Sequence, residues 1–182
     1  PMIPGESLDD YAKRVEVDAS EQAKKAAERG TAIHQSLEYA IQGKYYPTEH
    51  KPYIDAVFSL LKPLKRGEWN AEKSFANNAW GYGGKVDLSC EGCVIDFKCK
   101  EFDMGKTGKD LAYPEHCYQL AACREGLHLY SVPCFNIFIS VSNPGLAMIH
   151  EWSQDELEHG FEVFKSLLNT WKLVKKYDPL ES

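Results

Sequence analysis

The chain has no apolar run approaching the roughly 20 residues of a membrane helix, no internal repeat and no low-complexity or linker-like stretch. These absences exclude a helical membrane span, a repeat architecture and a division into linked parts. No basic-then-apolar leader opens the sequence. Six cysteines without such a leader read as reduced thiols of a cytosol-like compartment. Positive charge is also in deficit, with 21 Lys and Arg against 27 Asp and Glu and a net charge of −6. That argues against a non-specific polycation binder. It leaves nucleic acid open, because an acidic catalytic protein can keep a local basic groove. Gly105-Lys106-Thr107 lacks the preceding glycine and strand of a phosphate loop. Cys90-x-x-Cys93 resembles half a zinc site but has no second Cys or His pair at matching spacing, so reduced thiols flanking a turn are the expected reading.

What is present fits one domain. At 182 residues, 43% apolar and 26% charged, the chain can bury a full core. The expected organisation is a single domain over 1–182, with a core of about 20–152 and a closing helix over 153–177. A short helix is expected over 7–17 and a second from Ser20 to Gln42, with Ala23, Ala26, Ala27, Ile33, Leu37 and Ile41 at helical spacings and Gly43 as its stop. Thr48 to Leu64 predicts another helix, with Pro52 in its first turn. Trp69 to Phe75 reads as a strand, Asn77-Asn78 as a turn and residues 101–112 as a mobile loop. Glu115 to Gly126 is helical. Cys134 to Val141 is a buried strand that pairs with Ala147 to Trp152 across Asn143-Pro-Gly. Ser153 and Glu156 form a capping box for the last helix. The order implies an α/β sandwich with a mixed central sheet flanked by helices.

The densest information lies between Gly83 and Lys98. Tyr82 to Ser89 and Cys93 to Lys100 read as strands around a Glu91-Gly92 turn. A two-residue loop pairs Cys90 with Cys93 and carries the register on to Asp87 opposite Asp96. With a side-chain period of two, Asp87, Asp96 and Lys98 share one face and Ile95, Phe97 and Cys99 the other. Opposed residues have Cβ atoms about 4.5–5.5 Å apart. Two acids at that distance repel unless a cation lies between them, and acids inside a covered strand need compensation. Paired acids with an adjacent lysine look like a metal-dependent hydrolytic centre.

On the first long helix, His34 and Glu38 are four residues apart and point the same way. Gly30 costs about 1 kcal/mol relative to Ala in a helix interior, which suggests a close approach there. Glu72 shares the face of Asp87 if Asn77-Asn78 is a two-residue turn, but pairs with Gly83, about 13 Å along the strand. That distance favours contact with substrate or solvent. Lys98, Lys100, Lys106 and Lys109 form one basic group, and Lys62, Lys65 and Arg66 another; a solvated surface is the default reading of both.

Gly30-Thr-x-x-His34-x-x-x-Glu38 on an early helix, then Gly84-Lys-Val-Asp87, Ile95-Asp96-Phe-Lys98 and a helical Gln119, resembles the PD-(D/E)XK nucleases. The likeness is greatest to the RecB-like exonuclease branch, which includes phage and mitochondrial genome-maintenance exonucleases. It covers Arg29 to Gly126 and implies a restriction-endonuclease-like αβββαβ core. The resemblance implies Asp87 and Asp96 as catalytic metal ligands, with His34 and the Phe97 carbonyl completing the shell. Lys98 would orient or activate the attacking water and stabilise transition-state charge. Gln119 would contact DNA, with Thr31, Glu38 and Lys100 as further substrate contacts. Where that family has a tyrosine after the glutamine this chain has Cys123; Tyr118 and Arg124 lie nearby. Oxygen donors with one imidazole suit Mg²⁺ or Mn²⁺. The expected activity is a metal-dependent deoxyribonuclease, an exonuclease on DNA ends or single strands, with a recombination or replication protein as a further partner. The alternatives are an endonuclease on branched or nicked DNA, a catalytically silent nucleic-acid-binding module and a hydrolase of some other substrate.

Overall fold

The computed structural model describes residues 1–181. Five helices surround one five-stranded sheet of order β1-β2-β3-β4-β5. The strands are β1 Asn70–Asn77, β2 Tyr82–Cys90, β3 Cys93–Lys100, β4 Cys134–Ser140 and β5 Ala147–Trp152; the helices are α1 Leu8–Ile41, α2 Lys51–Leu61, α3 Gly108–Leu111, α4 Pro114–Gly126 and α5 Gln154–Lys175. Only β3 and β4 pair in parallel; the other three ladders are antiparallel. The fold is therefore α/β with a mixed sheet, as the order of elements predicts.

Each sheet face has its own core. Ile33, Leu37, Ile54 and Val57 from α1 and α2 pack on Leu88, Ile95 and Ile137. On the other face Leu120 and Ala121 from α4 and Leu157 from α5 pack on Val86, Val94 and Cys134. All seven residues of β4 are buried, as expected of a central strand covered on both sides.

Two helices expected near the N-terminus are one. Ser7 caps α1 by accepting the Asp10 backbone N–H. No proline or glycine interrupts Val17 to Ser20, so helical hydrogen bonding continues through a stretch that merely resembles a second cap. The merged helix has 34 residues, about 51 Å long. Its buried residues are Ile33, Ser36 and Leu37 alone, while Ala23, Ala26 and Ala27 are exposed. The alanine part of the expected stripe does not reach the core. Gly43 does end the helix region, at φ +68°.

The expected mobile loop over 101–112 is built in. Phe102 and Leu111 are buried against Phe138. The Phe102 carbonyl accepts from Ser140 Oγ at 2.6 Å and Asn143 Nδ2 at 3.0 Å. A reciprocal Thr107–Asp110 capping box opens α3, a pattern that offsets orphan helix donors. At Gly108 a methyl group would collide with the Ile149 carbonyl of β5. Gly108→Ala should therefore destabilise the protein by about 1–3 kcal/mol in urea denaturation, with exposed Lys109→Ala near neutral. Equal effects of the two would mean that α3 does not seat on β5.

Candidate active site

The β2–β3 ladder begins as the hairpin spacing predicts, with Cys90 opposite Cys93, Ser89 opposite Val94 and Leu88 opposite Ile95, and then stops. Beyond Leu88, β2 pairs only with β1, while β3 from Asp96 onward pairs with β4. The expected continuation to a paired Asp87 and Asp96 is thus corrected: the strands fork there. The Asp87 side chain takes up a main-chain donor freed by the fork, its Oδ2 accepting from the Phe97 N–H at 2.8 Å.

A change of face accompanies the fork. Ala71 and Leu88 pack toward α1 and α2, whereas Phe75 and Val86 pack toward α4. The switch falls at Glu72 and Asp87, which stand opposite each other between the pairs Ala71–Leu88 and Lys73–Val86. Glu72 has φ +54°, a left-handed conformation that few non-glycine residues adopt. The register corrects the expected placement of Glu72 beside Gly83, because the β1–β2 turn runs over Asn78 to Gly81 rather than two residues. Glu72 is paired with Lys85, and its charge reaches Asp87.

The fork opens into a cavity of about 440 Å³ whose wall includes His34, Asp87, Asp96, Lys98 and Gln119. Lys98 Nζ donates to Asp96 Oδ1 at 2.9 Å and to Gln119 Oε1 at 3.0 Å. His34 Nδ1 lies 3.9 Å from Asp87 Oδ2. Its helix reaches the sheet closely because Gly30 lies against Cys99, where a Cβ would stand 3.3 Å from the cysteine Cβ. Behind the cavity, Asn136 Nδ2 donates to Asp96 Oδ2 at 2.7 Å and Trp152 Nε1 donates to Asn136 Oδ1 at 2.7 Å. Sequence reasoning missed Asn136 and Trp152. The available signal was an amide inside the apolar run of β4, a group that must find partners when buried.

The other expected site residues divide. Thr31 is exposed on the cavity rim and donates to the Ala27 carbonyl at 3.0 Å. The Phe97 ring is buried in the core while the residue contributes to the cavity wall. Glu38 is off the wall, accepting from Gln42 Nε2 at 3.1 Å. Lys100 is also elsewhere: it donates to the Leu111 carbonyl at 3.0 Å and stands 3.9 Å over the Tyr113 ring. Arg124 is buried and donates to Gln154 Oε1 at 2.7 Å, away from the cluster.

Electrostatically the site is costly. Burial pushes the Asp96 carboxyl up, the neighbouring Asp87 charge pushes further, and Lys98 only partly opposes them, leaving it at about 6. Burial likewise raises Asp87, with Glu72 adding to the rise and His34, the Phe97 N–H and Lys98 opposing it. The donors fit a hard divalent cation in kind, being two carboxylates of raised pKa and an imidazole. Among the described residues, no three His, Cys, Asp or Glu side chains form a ready-made coordinating group; Asp96 is engaged by Lys98 and Asn136 instead.

A carboxyl whose pKa rises on folding binds more protons folded than unfolded, so stability falls as pH climbs from the unfolded to the folded value. For Asp96 that window runs from about 3.8 to about 6. In chelator-treated buffer the wild type should lose on the order of 2 kcal/mol across it, and Asp96→Asn should lose much less. Matching pH slopes in denaturant titrations would remove the charged pair from the folded state.

A scan against known protein families and a search of curated proteins both find no match to this chain.

Proposed function

We propose that the chain is a metal-dependent deoxyribonuclease, an exonuclease acting on DNA ends or single strands, built on a restriction-endonuclease-like core. The observation that carries this reading is the convergence of Asp87, Asp96, Lys98 and His34, from three different elements, on one open cavity at a strand fork. A purely structural role would not gather two like charges whose burial raises both carboxyls. Asp87, Asp96, His34 and the Phe97 carbonyl would hold Mg²⁺ or Mn²⁺. When bound, such an ion supplies charge neutralisation at a phosphate and a water of lowered pKa.

The chain's own residues have distinct tasks in this reading. Lys98 holds a positive charge at the cavity wall, where a phosphate oxygen gains negative charge during displacement. Its ammonium already touches both Asp96 and Gln119, so it can lean toward Gln119 when Asp96 turns to another cation. Asn136 positions Asp96 from behind, and Trp152 fixes the amide's orientation. His34 faces Asp87 from α1. DNA is the expected partner, and the exposed cavity rim admits a strand.

A second reading, a silent nucleic-acid-binding module, is favoured by one observation. Asp96 already has Lys98 on both oxygens and Asn136 on one, a compensated arrangement without any ion. Gel analysis of end-labelled single-stranded and linear duplex DNA with Mn²⁺ separates the two. Wild type should degrade the DNA, and Lys98→Ala and Asp96→Asn should each fall about 100-fold or more. Mn²⁺ should raise the melting temperature of the wild type and not of Asp96→Asn, because a ligand of the native state stabilises it. DNA that is bound but left intact by the wild type overturns the nuclease in favour of the binder.

A further inference from the structure

Beside the fork lies a second hollow, of about 460 Å³, between β2, α4 and α5. Gln119 belongs to the walls of both cavities. The hollow is floored by Phe75, Tyr82 and Phe164, edged by Tyr118 and Leu167, and bounded on the sheet side by Gly83 and Gly84. We propose that it receives one unpaired base of a nucleic-acid strand whose adjoining phosphate lies at Asp87 and Asp96. This rests on the nuclease reading and names its substrate as single-stranded at the site of attack.

Four features support a base rather than an apolar peptide. First, the aromatic floor is rigid. The Phe75 ring is held between Gly84, where a Cβ would come within 2.9 Å of its Cζ, and Gly126, where a methyl would overlap the ring. Tyr82 meets Phe75 edge-on at 5.9 Å and Phe164 at 4.8 Å, and its hydroxyl donates to the Ala122 carbonyl at 2.9 Å. Prepositioned rings stack on any base at little entropic cost. Second, the edge of β2 that faces β3 has no ladder partner from Tyr82 to Asp87, and Gly83 and Gly84 on it are exposed. Its main-chain polar groups suit the donors and acceptors on a base edge, and an apolar occupant would leave them unsatisfied. Third, Lys85, Glu115 and Gln119 add polar groups to the same hollow. Fourth, Gln119 is itself bonded to Lys98, so a strand with its phosphate at that lysine has its next base on the far side of this one side chain.

The test is anisotropy of 5′-fluorescein oligothymidylate with Ca²⁺ in place of Mn²⁺, so that the two acids are neutralised beside the phosphate while turnover is suppressed. Oligonucleotides with a single abasic position, scanned along the strand, and blunt duplex of equal length serve as comparisons. At one position the abasic change should weaken wild-type binding about tenfold. Tyr118→Ala should weaken binding of the intact strand by a similar factor and abolish the abasic effect. Leu167→Ala is the second variant, since this side chain is 56% exposed and its removal leaves the core intact; it should act in the same direction. The inference is overturned if the wild type binds intact and abasic strands alike, if both variants bind as wild type does, or if they weaken duplex binding equally. Mn²⁺-dependent cleavage of bis(p-nitrophenyl) phosphate, which has no base, tests the catalytic cluster separately. Cleavage without base-dependent binding sinks the hollow alone, and base-dependent binding without cleavage of either substrate supports the hollow and sinks the nuclease.

Discussion

The Asp96 carboxylate is 7% exposed, with Lys98 Nζ at 2.8 Å on one side and Asn136 Nδ2 at 2.7 Å behind it. A charge taken this far from water must be compensated or neutralised, and here the compensation is only partial because Asp87 pushes the other way. The sheet is arranged around that unresolved repulsion. β2 and β3 part where the two acids would otherwise face each other as ladder neighbours, and the main-chain donor set free at Phe97 is satisfied by Asp87. The cavity is the volume between the diverging strands, with α1 closing one side and α4 the other.

From this follows a division of labour between the two cores. Apolar packing on both faces of β3 and β4 supports the floor of the site, while the polar chain Trp152–Asn136–Asp96–Lys98–Gln119 runs across the strands on the face covered by α4. Every member but the last lies on a strand, and strands surrounded by buried apolar side chains hold a group more exactly than loops do. Asp96 is therefore held from behind by Asn136, whose own amide is fixed by Trp152.

Much of this was legible in the chain. The turn at Glu91-Gly92, the alternation along β3 and the capping box at Ser153 are local signals, and local signals carry over directly. Asp87, Asp96, Lys98, His34 and Gln119, the residues that carry the family resemblance, line one cavity. What escaped was non-local or depended on a backbone exception. The fork was invisible because period-two alternation assumes a continuous ladder. Glu72 stands opposite Asp87 rather than Gly83 because the turn from Asn78 to Gly81 is longer than two residues. Asn136 could not be assigned to Asp96 without knowing that β4 runs parallel beside β3. Lys100 looked like part of a basic group, yet its ammonium is spent on a carbonyl and a tyrosine ring.

The contact between Gly30 and Cys99 sets a mechanical tolerance for the whole assembly. His34 sits one helical turn beyond it, so the thickness of a single hydrogen atom acts as the shim between rod and sheet. A methyl group there would stand 3.3 Å from the Cys99 Cβ, so the helix or the cysteine would have to yield by a few tenths of an ångström. The closest approach of α1 to β3 is thus made at a residue that carries no functional group at all.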